Sequence, residues 1–181
     1  MNKNYEMRFT GSGGQGVILI SIIMAEAAVL AGKHTTQSQA YGPEARGGSS
    51  KAETIICGEA IWYSKVQVPN FLLALTQSSL DVFAPQTAED AIILADDSLA
   101  IPQGLGERKV YTLPILRSAV ERVGKAMTAN IIAVGAINGI LRLFDDEVLL
   151  EAVKRHTPAG TEKLNGKALE VGKELAAALS L

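Results

Sequence analysis

The chain has 181 residues and a formal net charge of −2, enough for one domain, 1–181, with a sizeable core, and without the basic footprint of a nucleic-acid binder. Hydrophobic residues make up 48% and charged residues 20%, an ordinary globular balance. No apolar run reaches the length of a membrane span, and the start, MNKNYEMRFTG, has no apolar signal region, so the expected location is the cytoplasm, with neither membrane nor nucleic acid as a partner. Aromatics are scarce at 5%. The core must then be built of Ala, Val, Ile and Leu, a composition that suits helices lying close on a parallel sheet. The single cysteine, Cys57, excludes an internal disulfide and a cysteine-built iron–sulfur cluster within this chain; in its apolar segment it reads as a small buried hydrophobe. His34 and His156 stand far apart, in no zinc spacing, so no metal site is expected.

Tyr5–Thr10 alternates weakly before glycine and predicts a first strand. Gly16–Ala31 predicts a helix apolar on nearly all sides, buried on more than one face or docked on a partner chain, with Gly32 as its stop. His34–Ala40 is polar and β-permissive, a second strand or a loop. Tyr41–Ser50 is a loop rich in glycine, proline and serine. Lys51–Cys57 predicts a strand; a turn at Gly58–Glu59 and a return over Ala60–Val66 predict a β-hairpin. Phe71–Leu75 and Ala91–Ala95 read as buried strands, Val110–Leu113 as a further strand and Gln77–Phe83 as a short helix. Helices follow over Ile115–Val123, Thr128–Phe144, Asp145–His156 and Thr161–Leu179. Acids in the first turn and bases in the last turn of Asp145–His156 suit the helix dipole and give His156 a structural role. The expected fold is α/β: a three-layer Rossmann-like sheet, mostly parallel, with a β-hairpin insertion and C-terminal helices.

Two clusters carry the functional signal. Gly11, Gly13 and Gly16 fit the G-x-G-x-x-G spacing at a strand-to-helix junction. Backbone N–H groups there face an anion at the positive end of a helix. Gly14 permits close approach, and Gln15 adds an amide that both donates and accepts. A nicotinamide or flavin site needs an acid about twenty residues on, at the end of the second strand. That region reads His34-Thr35-Thr36-Gln37-Ser38-Gln39. Three readings stay open: a tight turn for packing alone, a phosphate or anion site, and a dinucleotide site in a free-standing NAD(P)- or FAD-binding protein.

In the second cluster, YGPEARGG (Tyr41–Gly48), Glu44 and Arg46 lie between Gly42-Pro43 and Gly47-Gly48. Arg46 suits a bidentate grip on phosphate or carboxylate, unless it is an exposed arginine paired with Glu44. In a Rossmann-like sheet this loop and the first glycine turn face one crevice. There is no Ser-His-Asp set, activated cysteine or carboxylate pair at an evident site, so no catalytic residue is assigned.

The order and spacing of GSGGQG and YGPEARGG, with LLALTQSSLD, NIIAVGAINGILRLFDDEVLLEAVKRH and EKLNGKALEVGKEL after them, closely resemble the γ subunits of 2-oxoacid:ferredoxin oxidoreductases over nearly the whole chain. TQSQAYGPEARGG looks most like the 2-oxoglutarate branch, with pyruvate and ketoisovalerate γ subunits next. Asn70 departs from the family, which commonly has aspartate there. The resemblance implies a subunit inactive alone, serving a holoenzyme that decarboxylates a 2-oxoacid on thiamine diphosphate and Mg²⁺, passes electrons through iron–sulfur clusters to ferredoxin, and releases an acyl-CoA. Its partners would be α and β subunits and a small ferredoxin-like subunit. The isolated chain would expose the Gly16–Ala31 helix and form homodimers. No cofactor would be bound by this chain alone. The implied contacts to coenzyme A, or to its route, are Gly11, Gly13, Gly14, Gln15 and Gly16 with Tyr41, Gly42, Glu44, Arg46, Gly47 and Gly48.

Overall fold

The structure, a computed structural model, describes residues 4–41 and 49–179. Six strands form one sheet in the order β2-β3-β1-β4-β5-β6: β1 (Tyr5–Ser12), β2 (His34–Tyr41), β3 (Ser49–Cys57), β4 (Phe71–Ala74), β5 (Ile92–Asp96) and β6 (Lys109–Leu113). Strands β1, β4, β5 and β6 are parallel neighbours, whereas β3 runs antiparallel between β1 and β2. Every residue of β4 is buried, as its all-apolar sequence requires of a central strand covered on both faces.

The predicted hairpin has a different second strand. Lys51–Cys57 lies within β3, but 58–70 contains no strand beyond its own bends. The antiparallel partner is β2, registered His34↔Cys57 through Tyr41↔Ser50. The physical reason is edge occupancy: β1 takes one edge of β3 and β2 the other, so no ladder remains for Ala60–Val66 to join. The polar segment His34–Ala40 is accordingly a strand, at the edge of the sheet, where its outer face meets water.

The two faces of the sheet are unequally covered. On one face lie α1 (Val17–Leu30), α4 (Ala129–Leu141), α5 (Asp146–His156) and α6 (Glu162–Ala177). The near-uniform hydrophobicity of α1 is explained by its position: it packs on β3 and β2 on one side and on α5 and α4 on the other. The main core joins Met7 and Phe9 of β1, Ile20 and Ile23 of α1, and Ile132 and Ile137 of α4. The opposite face carries only the short helix α2 (Gln77–Phe83), a following turn and loops, with a small second cluster of Leu72, Leu80, Ile93 and Leu105. Thr76 caps α2, accepting from Ser79 N. Asp96, buried at the end of β5, accepts from Leu116 N at 2.8 Å and so fixes the start of α3 (Ile115–Ser118), which runs on as a wider π turn to Val123.

Helices α4 and α6 cross in backbone contact. A Cβ on Gly172 would lie 2.0 Å from Ile132 O, and one on Gly135 would lie 2.2 Å from Leu169 O. Gly166, on the same α6, faces open space. Replacing Gly172 by Ala is expected to cost about 1–3 kcal/mol through overpacking, a fall of roughly 2–12 °C in melting temperature for a chain of this size. Gly166→Ala is expected to stabilise by about 0.5–1 kcal/mol through helix propensity. Calorimetric melting of the two variants checks both signs.

At the other end of the helical layer, Arg155 Nη1 of α5 donates to Glu26 Oε1 of α1 at 2.9 Å, and His156 Nε2 lies 3.4 Å from Glu26 Oε2. The Arg155 hydrogen bond, and less so His156, hold the Glu26 carboxyl below its ordinary value of 4.5. A carboxylate with a depressed folded pKa contributes stability that is complete above the unfolded value and is lost as pH falls through the folded one. Glu26→Gln is therefore expected to flatten the loss of stability below about pH 4.5 and to leave the neutral-to-alkaline limb unchanged, as urea unfolding across pH would show.

Candidate functional site at the glycine turn

β1 ends at Ser12, and α1 begins one turn later with Gly16 as its N-cap. Gln15 closes the turn from inside. Its Oε1 accepts from Ser12 N at 2.7 Å, its Nε2 donates to Leu75 O at 3.3 Å, and its own N–H returns to Ser12 O at 3.2 Å. The amide read from the sequence as a ligand group is thus spent on the chain's own backbone, tying the end of β1 to the end of β4.

The glycines divide by role. A Cβ at Gly11 would meet Gln15 Oε1 at 2.5 Å, so Gly11 makes room for that staple. Gly16 has φ +73° and lies against Asn130, whose Nδ2 would be 2.4 Å from an added Cβ. Gly13 and Gly14 are exposed, and Gly14, at φ +92°, has open space where a side chain would be. Among the described residues none accepts from the N–H groups of Gly13, Gly14, Val17 or Ile18, and α1 has neither a side-chain cap nor an acid in its first turn. Among the described residues the turn therefore offers unpartnered donors, the exposed Gly13 and Gly14 foremost, at the positive end of a fourteen-residue helix, the physical arrangement that attracts an anion.

Asn130 is the residue that sequence reasoning missed. It is buried near the start of α4, its Oδ1 accepting from Ile131 N at 2.9 Å. Its contact with Gly16 brings the N-terminal ends of α1 and α4 together. The only signal in the sequence was an amide at the head of a predicted helix, about 115 residues from the turn.

The second cluster begins and ends beside this turn. Ser49 registers with Ser12 and Ser50 with both Gly11 and Tyr41, so β2 delivers the chain, and β3 takes it back, at the edge of the sheet where β1 ends. Gly42, Glu44, Arg46, Gly47 and Gly48 themselves lie outside the described residues, and Tyr41 is described by its backbone alone. The insertion of β3 also separates β2 from β1, so the crevice that holds a dinucleotide ribose between adjacent parallel strands is not formed there, and β2 ends in Gln39-Ala40-Tyr41 with no acid.

Other candidates have structural partners. Cys57 is buried, its Sγ 2.9 Å from Asn4 Oδ1. Asn70, the departure from the family pattern, accepts from Glu6 N at 3.0 Å and donates through Nδ2 to Asn4 O at 2.8 Å; an aspartate could not make the second bond. Among the described residues no group of three or more His, Cys, Asp or Glu is placed to hold a metal, and no helix is long and apolar enough to cross a membrane. A cavity of about 590 Å³ opens between α4, α5 and α6 and includes no residue of the glycine turn.

The sequence pattern described as Pyruvate ferredoxin/flavodoxin oxidoreductase matches residues 6–175. The chain is 37% identical over 177 residues to the 2-oxoglutarate synthase subunit KorC of Methanocaldococcus jannaschii, covering 94% of this chain and 95% of that one. It is 39% identical over 174 residues to the ketoisovalerate oxidoreductase subunit VorA of Methanothermobacter thermautotrophicus, covering 94% of this chain but 36% of VorA. Among solved structures, the keto/oxoacid ferredoxin oxidoreductase gamma subunit of Geobacter sulfurreducens superposes with a TM-score of 0.87 at 38% identity, covering 97% of this chain and 98% of that one.

Gln15→Met keeps the volume of the staple and removes both side-chain hydrogen bonds. Each is worth about 0.5–1.5 kcal/mol, so a loss of roughly 1–3 kcal/mol is expected, together with faster amide hydrogen exchange at Ser12–Val17 and unchanged exchange in β5. Mass-spectrometric exchange with equilibrium unfolding measures both.

Proposed function

Because the chain belongs to the pyruvate ferredoxin/flavodoxin oxidoreductase family as a γ-type subunit, we propose that it serves a 2-oxoglutarate:ferredoxin oxidoreductase, and that its glycine turn binds the phosphate end of coenzyme A. The choice of 2-oxoacid is supported by the KorC relatives, named for 2-oxoglutarate and matched from end to end. In this reading the protein acts in the cytoplasm and is inactive alone. Its α and β partners, with a small ferredoxin-like subunit, hold thiamine diphosphate, Mg²⁺ and the iron–sulfur clusters, and ferredoxin takes the electrons. A lone cysteine cannot ligate such a cluster, which agrees with that division of labour.

The observation that carries the coenzyme A assignment is the set of N–H groups of Gly13, Gly14, Val17 and Ile18 that have no acceptor among the described residues. Coenzyme A supplies the thiol that accepts the acyl group. This chain's residues bind and orient its charged end: the turn N–H groups meet phosphate oxygens, the helix dipole of α1 favours their charge, and Asn130 adds an amide donor. Gly11, Gln15 and Gly16 hold that backbone in shape. Arg46, with Tyr41, Gly42, Glu44, Gly47 and Gly48 of the same segment, completes the cradle; the chain re-enters the sheet after that segment at Ser49, the register partner of Ser12.

In the assembled enzyme, Arg46→Ala removes one charge-assisted contact of about 1.5–3 kcal/mol. The KM for coenzyme A is expected to rise roughly ten- to hundredfold, with the KM for 2-oxoglutarate unchanged. An unaltered coenzyme A dependence would reject the cradle; robust 2-oxoacid oxidation by the isolated chain would reject the subunit reading.

A further inference from the structure

The thinly covered face of the sheet carries apolar side chains that the monomer does not use. Of the eight large hydrophobic residues that stay exposed among the described residues, five belong to segments packed on that face: Trp62, Tyr63, Val68, Val82 and Ile101. Their placement follows from register. Ile56 lies in the main core and Thr54 donates to Ser21 O of α1, so the alternate residues Glu53 and Ile55 point to the opposite face. Glu6 and Thr36 are both paired with Ile55 and share its side. Segment 58–70 is hydrogen-bonded to both: Thr36 Oγ1 donates to Ser64 O at 3.2 Å, and Glu6 Oε2 accepts from Gln67 N at 3.0 Å. The segment therefore crosses β2, β3 and β1 on the thin side and turns Trp62 and Tyr63 to solvent, at 95% and 57% exposure. Val82 lies on α2, and Ile101 follows Ala100, which is bonded to Gln77 of α2 through N and O.

We infer that this face, anchored by Trp62 and Tyr63, docks a larger subunit of the same oxidoreductase, through an apolar pocket in that subunit that receives the indole. The inference rests on the proposed assembly with such subunits. Its occupant is favoured by two observations. The same domain makes up 36% of VorA, so in that relative it is one part of a chain nearly three times its length and has neighbours to pack against. The available surface is also sufficient: two aromatic side chains bury about 300–500 Å², a large share of the roughly 800 Å² that one partner gives to a stable interface. Exposed Trp and Tyr are the residue types on which such interfaces concentrate their energy.

Trp62 is the only tryptophan in the chain, so 5-fluorotryptophan incorporated there is a single reporter. The labelled chain is mixed with the separately purified, unlabelled large subunits of the same enzyme, and assembly is followed by sedimentation. The expected result is a complex in which the fluorine resonance moves and loses its H₂O/D₂O solvent shift. Trp62→Ser, with melting temperature checked against wild type, is expected to bind tenfold or more weakly. A complex that forms with the fluorine still solvent-exposed, and with Trp62→Ser binding as well as wild type, overturns the docking face alone. A solvent-protected fluorine in a dimer of the chain by itself assigns the face to a second copy and overturns it too. No complex at all overturns the assembly reading and the inference with it.

Discussion

The site depends on the antiparallel pairing of β1 with β3. That ladder runs from Tyr5↔Ile56 to Ser12↔Ser49 and brings the end of β1 and the start of β3 to the same edge. It is pinned by a buried cross-strand ion pair: Arg8 Nε donates to Glu53 Oε1 at 2.8 Å, with the guanidinium 5.4 Å from the Phe83 ring centroid. A slip of one residue between the strands would turn one of the two charges to the α1 side and away from its partner. Separating them would leave the Arg8 charge buried without its carboxylate, a loss of about 3–5 kcal/mol, while Glu53 would keep Lys51 at 3.3 Å. The pair thus specifies register more than it adds net stability, and register decides that the glycine turn and the ends of the Tyr41–Ser49 connection are neighbours.

On that frame the turn is built to be stiff. Gln15 occupies the interior and takes up the polar groups of Ser12 and Leu75, while Thr10 reaches Leu73 O and Leu75 N returns to Thr10 O. Three linked bonds between the ends of β1 and β4 leave little freedom for the donors that follow. A pre-positioned set of N–H groups loses little conformational entropy on meeting an anion, which distinguishes this turn from a flexible glycine-rich loop.

The asymmetry of the layers has a functional side. On the helical face α4 and α6 cross at glycines with backbone contact, so that side already carries an outer layer of long helices. The other face has α2, a turn and a loop-like segment over six strands, a modest apolar cluster, and exposed aromatics. A domain that serves as one part of a larger enzyme has reason to leave such a face unfinished, since a partner supplies the missing layer.

Much was determined by the sequence alone. Glycine spacing at Gly11–Gly16, the all-apolar runs of β4 and β5, and the near-uniform hydrophobicity of α1 and α4 fixed element types, because local conformation and burial are written in period and composition. Paired motifs gave the family. Tertiary structure alone decided what depends on which edges are occupied and which distant atoms meet. It made β2 rather than Ala60–Val66 the partner of β3, turned Gln15 inward, and set Asn130 against Gly16 from about 115 residues away. It also left Trp62 uncovered. None of these is encoded in a local window, since each is a competition between segments for one strand edge, one pair of carbonyls or one patch of sheet, settled only when the whole chain packs.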